Sequence, residues 1–187
     1  MKKDIILAGV GGQGILSIAS VIGVAAVNLG LHLKQAEVHG MSQRGGDVQS
    51  HLRLSDKEIA SDLIPYGKAD MIISVEPMEV LRYLPMISPE GWIITSIKPF
   101  INISNYPPLE KIMSEIEAFE NHVALDADKI AKESGSLRAA NDIDYGNFEE
   151  AIKFVFGSKG DDIVNINLKA MKAGRDFAET HSHAKLK

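Results

Sequence analysis

The chain has 187 residues, 45% of them hydrophobic and 24% charged, with a formal charge of −5. That is ordinary for a globular protein able to bury a full core, and the acidic balance with scattered Lys and Arg points away from nucleic acid and anionic membrane surfaces. Cysteine is absent, so the chain itself can hold no thiolate-bound iron–sulfur cluster, Cys-ligated zinc, disulfide or cysteine nucleophile.

In chain order, Asp4 to Gly9 is a short apolar run ending in glycine, which predicts a buried parallel strand. Its early break at Gly9 is unlike a secretory leader. No apolar run approaches the roughly 20 residues of a membrane span, and the expected compartment is the cytoplasm. A long apolar helix follows from about Gly12 to Asn28, covered on most faces. Lys34 to Val38 reads as a second strand. Val48 to Leu54 alternates at period two and predicts a half-buried strand, with Glu58 to Ser61 expected to pair back on it as a small hairpin.

Met71 to Val75 and Trp92 to Ile97 are further buried strands. Pro77 marks the start of a helix ending near Tyr83. Pro99 to Pro108 predicts an ordered loop, Leu109 to Phe119 a helix and His122 to Leu125 a strand. Asp126 to Glu133, Phe148 to Phe156 and Asp161 to about Glu179 complete the helices. Strands alternating with helices give an α/β fold: three layers on an open, mostly parallel, Rossmann-like sheet with a small antiparallel hairpin, in one domain over 1–187.

Two segments carry the chemistry. Gly9, Gly11, Gly12, Gln13 and Gly14 lie in a G-x-G-x-x-G pattern between the first strand and the first helix. Such glycines allow a tight turn and bring backbone amides close to a phosphate at a positive helix end. The alternative is a turn required only for packing. A dinucleotide site also wants an acid about 20 residues on. Glu37 is the candidate, and NAD is the corresponding ligand.

The second segment is His39, Gly40, Met41, Ser42, Gln43, Arg44, Gly45 and Gly46, at the carboxyl end of a strand, where open α/β sheets place ligands. Arg44 presents a planar fork suited to a carboxylate or phosphate. A loop so rich in glycine loses much entropy on ordering, so a ligand or partner is expected to hold it.

These two segments, with Asp62-Leu63-Ile64-Pro65, Ala69-Asp70, Glu76-Pro77-Met78-Glu79 and Leu81-Arg82-Tyr83-Leu84-Pro85, resemble the gamma-type subunit of 2-oxoacid:ferredoxin oxidoreductases over nearly the whole chain. Within that family the chain is most similar to the beta subunit of the indolepyruvate enzymes, with the 2-oxoglutarate or pyruvate enzymes as alternatives; outside the family, the first glycine segment leaves a stand-alone NAD-binding oxidoreductase as a further one.

The resemblance implies a small subunit inactive alone. A large catalytic partner would carry thiamine diphosphate, magnesium and iron–sulfur clusters and pass electrons to ferredoxin. Coenzyme A is implied at the first glycine turn, and the second loop would face the partner, supported by Glu76. No residue is implied as nucleophile, general base or metal ligand. Relatives are expected to carry a short apolar helix after the equivalent of Asn141; here Ala139-Ala140-Asn141 runs directly into Asp142-Ile143-Asp144-Tyr145-Gly146, so either the element is truly deleted or a segment is omitted from the sequence.

Elsewhere the bland readings prevail. Glu115, Glu117 and Glu120 are expected on a solvated helix face, and Ser17 and Ser20 have no evident base.

Overall fold

A computed structural model describes residues 1–39, 45–126 and 145–181. Its strands are β1 (Lys2–Val10), β2 (His32–His39), β3 (Asp47–Ser55), β4 (Ala69–Ser74), β5 (Ile87–Ser96) and β6 (His122–Leu125). They form one sheet in the order β2-β3-β1-β4-β5-β6. The helices among the described residues are α1 (Ile15–Asn28), α2 (Pro77–Tyr83), α3 (Leu109–Glu117), α4 (Tyr145–Phe156) and α5 (Asp161–His181).

The unbroken apolar character of β1 follows from its place. It lies inside the sheet with both faces covered, so Ile5, Ile6, Leu7 and Ala8 are all buried. Ile5 and Leu7 pack with Ile15, Ala19 and Ile22 of α1, Phe148 and Ile152 of α4, and Val164 of α5. On the opposite face Ile6, Ala8 and Ile72 pack with Tyr83 and Met86. Ile93 of β5 meets Val80, Ile112 and Ile116 there. Three layers result, as expected.

Strands β1, β4, β5 and β6 pair in parallel. Strand β3 runs against both β1 and β2, so the sheet is mostly parallel with one reversed strand. The antiparallel hairpin exists, but with a different partner. It is β2–β3, closing across the glycine-rich segment, and Glu58 to Ser61 form no strand.

The reason is that both edges of β3 are already occupied, by β1 and β2. Buried Arg53 then captures the following segment. Its Nη1 donates to the carbonyls of Ser61 and Leu63, both at 2.9 Å. Its Nε and Nη2 hold the fully buried Asp4 carboxylate at 2.7 and 3.0 Å. The expected helix Asp126 to Glu133 and the junction after Asn141 lie outside the described residues. No helix among the described residues is long and apolar enough to cross a membrane.

Two consequences position the site. The parallel strands end on one rim. Helix α1 leaves β1 toward one face of the sheet, whereas α2 leaves the adjacent β4 toward the other. Diverging connections of this kind open a crevice at the carboxyl ends of the strands, where open α/β sheets take ligands.

Candidate functional site

The first glycine turn stands at that crevice. A Cβ on Gly9 would lie 2.7 Å from Val75 Cγ2 and 2.9 Å from Ile15 Cδ1. Glycine is therefore demanded by the close approach of the two neighbouring strand ends. Gln13 folds back on the turn: its N–H donates to the Val10 carbonyl at 3.1 Å, and its Oε1 accepts the Val10 N–H at 2.8 Å.

Gly14, with φ 83°, caps α1, which has no side-chain cap and no acid in its first turn. A Cβ on Gly12 or Gly14 would meet nothing within 4 Å, so the outer side of the turn is open. The Gly11 and Gln13 amides are spent inside the fold, whereas none of these bonds uses those of Gly12, Gly14, Ile15 or Leu16. Amides at an uncompensated helix N-terminus favour an anion.

The second segment meets the first. Gly40, Met41, Ser42, Gln43 and Arg44 lie outside the described residues, but both flanks are placed. His39 ends β2 opposite Val48. The Gly11 N–H donates to the Gly46 carbonyl at 2.8 Å, and the Gly45 N–H donates to the Gly11 carbonyl at 3.4 Å. The two glycine segments are thus joined backbone to backbone at one rim. Asn102 reaches in from the loop 97–108 and donates its Nδ2 to the Gly45 carbonyl.

Glu76 lies beneath this rim and is fully buried. It is the N-cap of α2, with Oε2 accepting the Glu79 N–H at 3.0 Å. Its Oε1 accepts the Phe100 N–H at 3.4 Å and the Tyr106 hydroxyl at 2.5 Å. Burial, then the Glu76 carboxylate, push the Tyr106 phenol well above its ordinary value. Glu76 is therefore a brace between α2 and the loop 97–108, with every contact internal.

Tyr106 and Asn102 were not singled out in the sequence. The only hint of their role was the crowding of proline and asparagine that marked an ordered loop.

Other candidates fall away from the rim. Glu37 sits opposite Ser50 on β2 and receives the Gln35 amide. Strand β3 intervenes between β2 and β1, so Glu37 does not end a strand adjacent to the glycine turn, as a dinucleotide site requires. The geometry runs against the NAD alternative.

A cavity of about 240 Å³ lined by Lys2, Asp4, Arg53, Ser55 and Ser61 lies at the opposite end of the sheet. Its volume is below the roughly 300 Å³ where ligand pockets begin. Glu115, Glu117 and Glu120 are exposed, as expected. Ser20 donates to the Leu16 carbonyl at 2.8 Å, satisfied within its own helix. Among the described residues no group of three or more His, Asp or Glu could hold a metal ion.

Fold and rim together define an open-sheet α/β protein with a glycine turn, open on its outer side, at the carboxyl ends of the strands. Residues 4–177 match the pyruvate ferredoxin/flavodoxin oxidoreductase family, and the chain belongs to it. It is 36% identical to the indolepyruvate oxidoreductase subunit IorB of Archaeoglobus fulgidus, over 95% of this chain and 96% of that protein.

The 2-oxoglutarate synthase subunit KorC of Methanothermobacter marburgensis is 30% identical, over 95% of this chain and 97% of that one. The ketoisovalerate oxidoreductase subunit VorA of the same organism is 29% identical over 92% of this chain, but only 36% of VorA is matched. In fold the chain resembles the 2-oxoglutarate:ferredoxin oxidoreductase of Magnetococcus marinus, solved with 2-oxoglutarate, coenzyme A and succinyl-CoA bound. The TM-score is 0.73 at 20% identity, over 96% of this chain and 31% of that one. The resemblance drawn from the motifs therefore holds. The chain is a small subunit of a 2-oxoacid ferredoxin oxidoreductase that works beside a larger catalytic partner.

Proposed function

We propose that the chain is the cluster-free subunit of an indolepyruvate-type 2-oxoacid ferredoxin oxidoreductase, inactive until joined to the large subunit that carries thiamine diphosphate, magnesium and iron–sulfur clusters. The carrying observation is the end-to-end match to IorB, in which each chain covers nearly all of the other. On that partner, thiamine diphosphate supplies the carbanion chemistry that frees carbon dioxide from the 2-oxoacid, with electrons leaving to ferredoxin and the acyl group to coenzyme A.

This chain's own residues bind and enclose. The turn of Gly9, Gly11, Gly12, Gln13 and Gly14 receives the diphosphate of coenzyme A, a reading supported by its open outer side and uncompensated helix end. Gln13 holds the turn closed, and Gly9 admits the neighbouring strand end. The segment His39 to Gly46, with Arg44 as its cation, faces the catalytic partner. Glu76 braces the rim.

The test is ferredoxin reduction by the purified chain, by the large subunit and by the two mixed, with indolepyruvate as substrate. Activity confined to the mixture supports the proposal, and full activity of the large subunit alone refutes it. A 2-oxoglutarate enzyme is the second reading, favoured by the KorC match, and preference of the mixture for 2-oxoglutarate over indolepyruvate would select it. For the turn, Gly12→Ala places a methyl group where a diphosphate would approach. Because Gly12 has φ 100°, where alanine is strained, melting is followed as well: a several-fold rise in the KM for coenzyme A with kcat and melting temperature nearly kept supports the site, and an unchanged KM would remove coenzyme A from this turn.

A further inference from the structure

Loops that cross a protein surface are usually polar. The loop 97–108 is not. Phe100, Ile101 and Ile103 are 46%, 70% and 41% exposed, and Ile97 is also exposed. The other exposed large apolar residues among those described, such as Val27, Leu63, Tyr66 and Phe154, are spread over other elements. Single apolar residues on a surface need no explanation, but a run of them on one loop does.

The loop is also held in this exposed arrangement from within. The Phe100 N–H and the Tyr106 hydroxyl both bond buried Glu76. The Ile97 N–H donates to the Leu125 carbonyl at 2.8 Å, and the Lys98 N–H to Ser96 Oγ at 3.1 Å. Lys98 pairs with Asp126 at 3.1 Å, and Asn102 holds Gly45. A loop free to rearrange would turn its apolar side chains inward. This one is tethered at successive points so that they stay outward, which lowers the entropy lost when they are covered. Through Asn102 the loop is also attached to the glycine rim.

We infer that the loop 97–108, through Phe100, Ile101 and Ile103, is the docking element by which this chain seats on the large subunit of its enzyme. The inference rests on the function proposed above. The occupant follows from VorA, in which the counterpart of this chain is joined to a further stretch about twice its length, since only 36% of VorA is matched. What a longer polypeptide attaches covalently, a separate small subunit must hold by surface contact. The rim is where the chain's ligand-accepting turn also lies. Docking at the loop 97–108 therefore brings the Gly11–Gly46 junction up to the partner.

The experiment measures affinity between the full chain and the large subunit by calorimetry, for wild type, for the double variant Phe100→Ser/Ile101→Ser and for Phe154→Ser. Phe154 lies on α4, in the layer across the sheet from α2, and is 79% exposed. The substituted side chains are exposed, so thermal melting of the isolated chains should change little.

The loop variant is expected to bind at least about 30-fold more weakly, the size of an interface hot spot. Phe154→Ser should stay within about twofold. Undiminished binding by the loop variant, or an equal loss in Phe154→Ser, overturns the docking assignment while leaving the proposed function standing. Failure of the wild-type chain itself to bind the large subunit overturns the proposed function, and the docking assignment with it.

Discussion

Replacing Glu76 by glutamine tests whether one buried carboxylate organises the rim. Its two oxygens take three donors: the Glu79 N–H, the Phe100 N–H and the Tyr106 hydroxyl. Glutamine keeps one oxygen and puts an amide NH₂ in place of the other. If the oxygen stays toward Phe100 and Tyr106, the NH₂ faces the Glu79 N–H. If it turns, the NH₂ faces the Phe100 N–H. In the first case the Glu79 N–H is left with only its 3.2 Å bond to the Glu76 carbonyl; in the second the Phe100 N–H loses its acceptor outright, at about 1–3 kcal/mol. The remaining bonds lose charge assistance, about 1 kcal/mol more.

The expected loss for Glu76→Gln is about 3 kcal/mol. Tyr106→Phe should lose about 1.5–3 kcal/mol, since it removes one charge-assisted bond. Urea unfolding followed by circular dichroism measures both, and the double variant completes a cycle whose coupling should be about 1 kcal/mol or more. Hydrogen exchange at the Phe100 amide should quicken in Glu76→Gln. Stability within about 0.5 kcal/mol of wild type, the scale of an ordinary surface substitution, would refute the brace.

Three further outcomes follow from the same geometry. Gly9→Ala should destabilise by about 1–3 kcal/mol through overpacking against Val75 and Ile15. Gly157→Ala, which meets nothing within 4 Å, should be neutral or slightly stabilising in the same denaturation assay. Arg53→Met leaves the Asp4 carboxylate buried and the Ser61 and Leu63 carbonyls without their donor. Lys2 stays 2.7 Å from Asp4, so the loss should fall near the low end for a broken buried pair, about 3 kcal/mol, and the substitution should expose the segment after β3 to limited proteolysis.

His51 offers a pH readout. Burial first, then Arg53, lowers its pKa below the ordinary 6.5, and its Nδ1 accepts the Ile64 N–H at 3.0 Å. The folded chain therefore holds the neutral ring. Its contribution is complete above pH 6.5 and is lost as pH falls from there through the lowered folded value. Melting temperature should drop over that acid window, less so in His51→Gln. Equal acid sensitivity in both proteins would remove His51 as the cause.

Much of this was legible locally. Apolar runs such as Asp4 to Gly9 and Met71 to Val75 announced buried strands because a strand covered on both faces needs no polar alternation. Pro77 marked the start of α2 because its missing N–H costs nothing at a first helical position. The two glycine segments stood out because glycine clustered directly after a strand signals a tight turn or a close backbone approach.

The hairpin was misassigned because period-two alternation in Val48 to Leu54 gives a strand but not its neighbours or direction. Tyr106 and Asn102 went unnoticed because their partners lie 30 and 57 positions away, and nothing near either residue reports such a bond.

The order of residues alone thus determined most of the strands and helices, the glycine segments, the absence of cysteine chemistry and the family. Those are properties of short stretches or of composition. Only the tertiary structure decided that β3 lies reversed between β1 and β2, that Gly11 bonds Gly45 and Gly46, and that buried Glu76 carries the loop 97–108. Each of these joins segments far apart in the chain, and such contacts exist only once the sheet has assembled and chosen which edges remain to be paired.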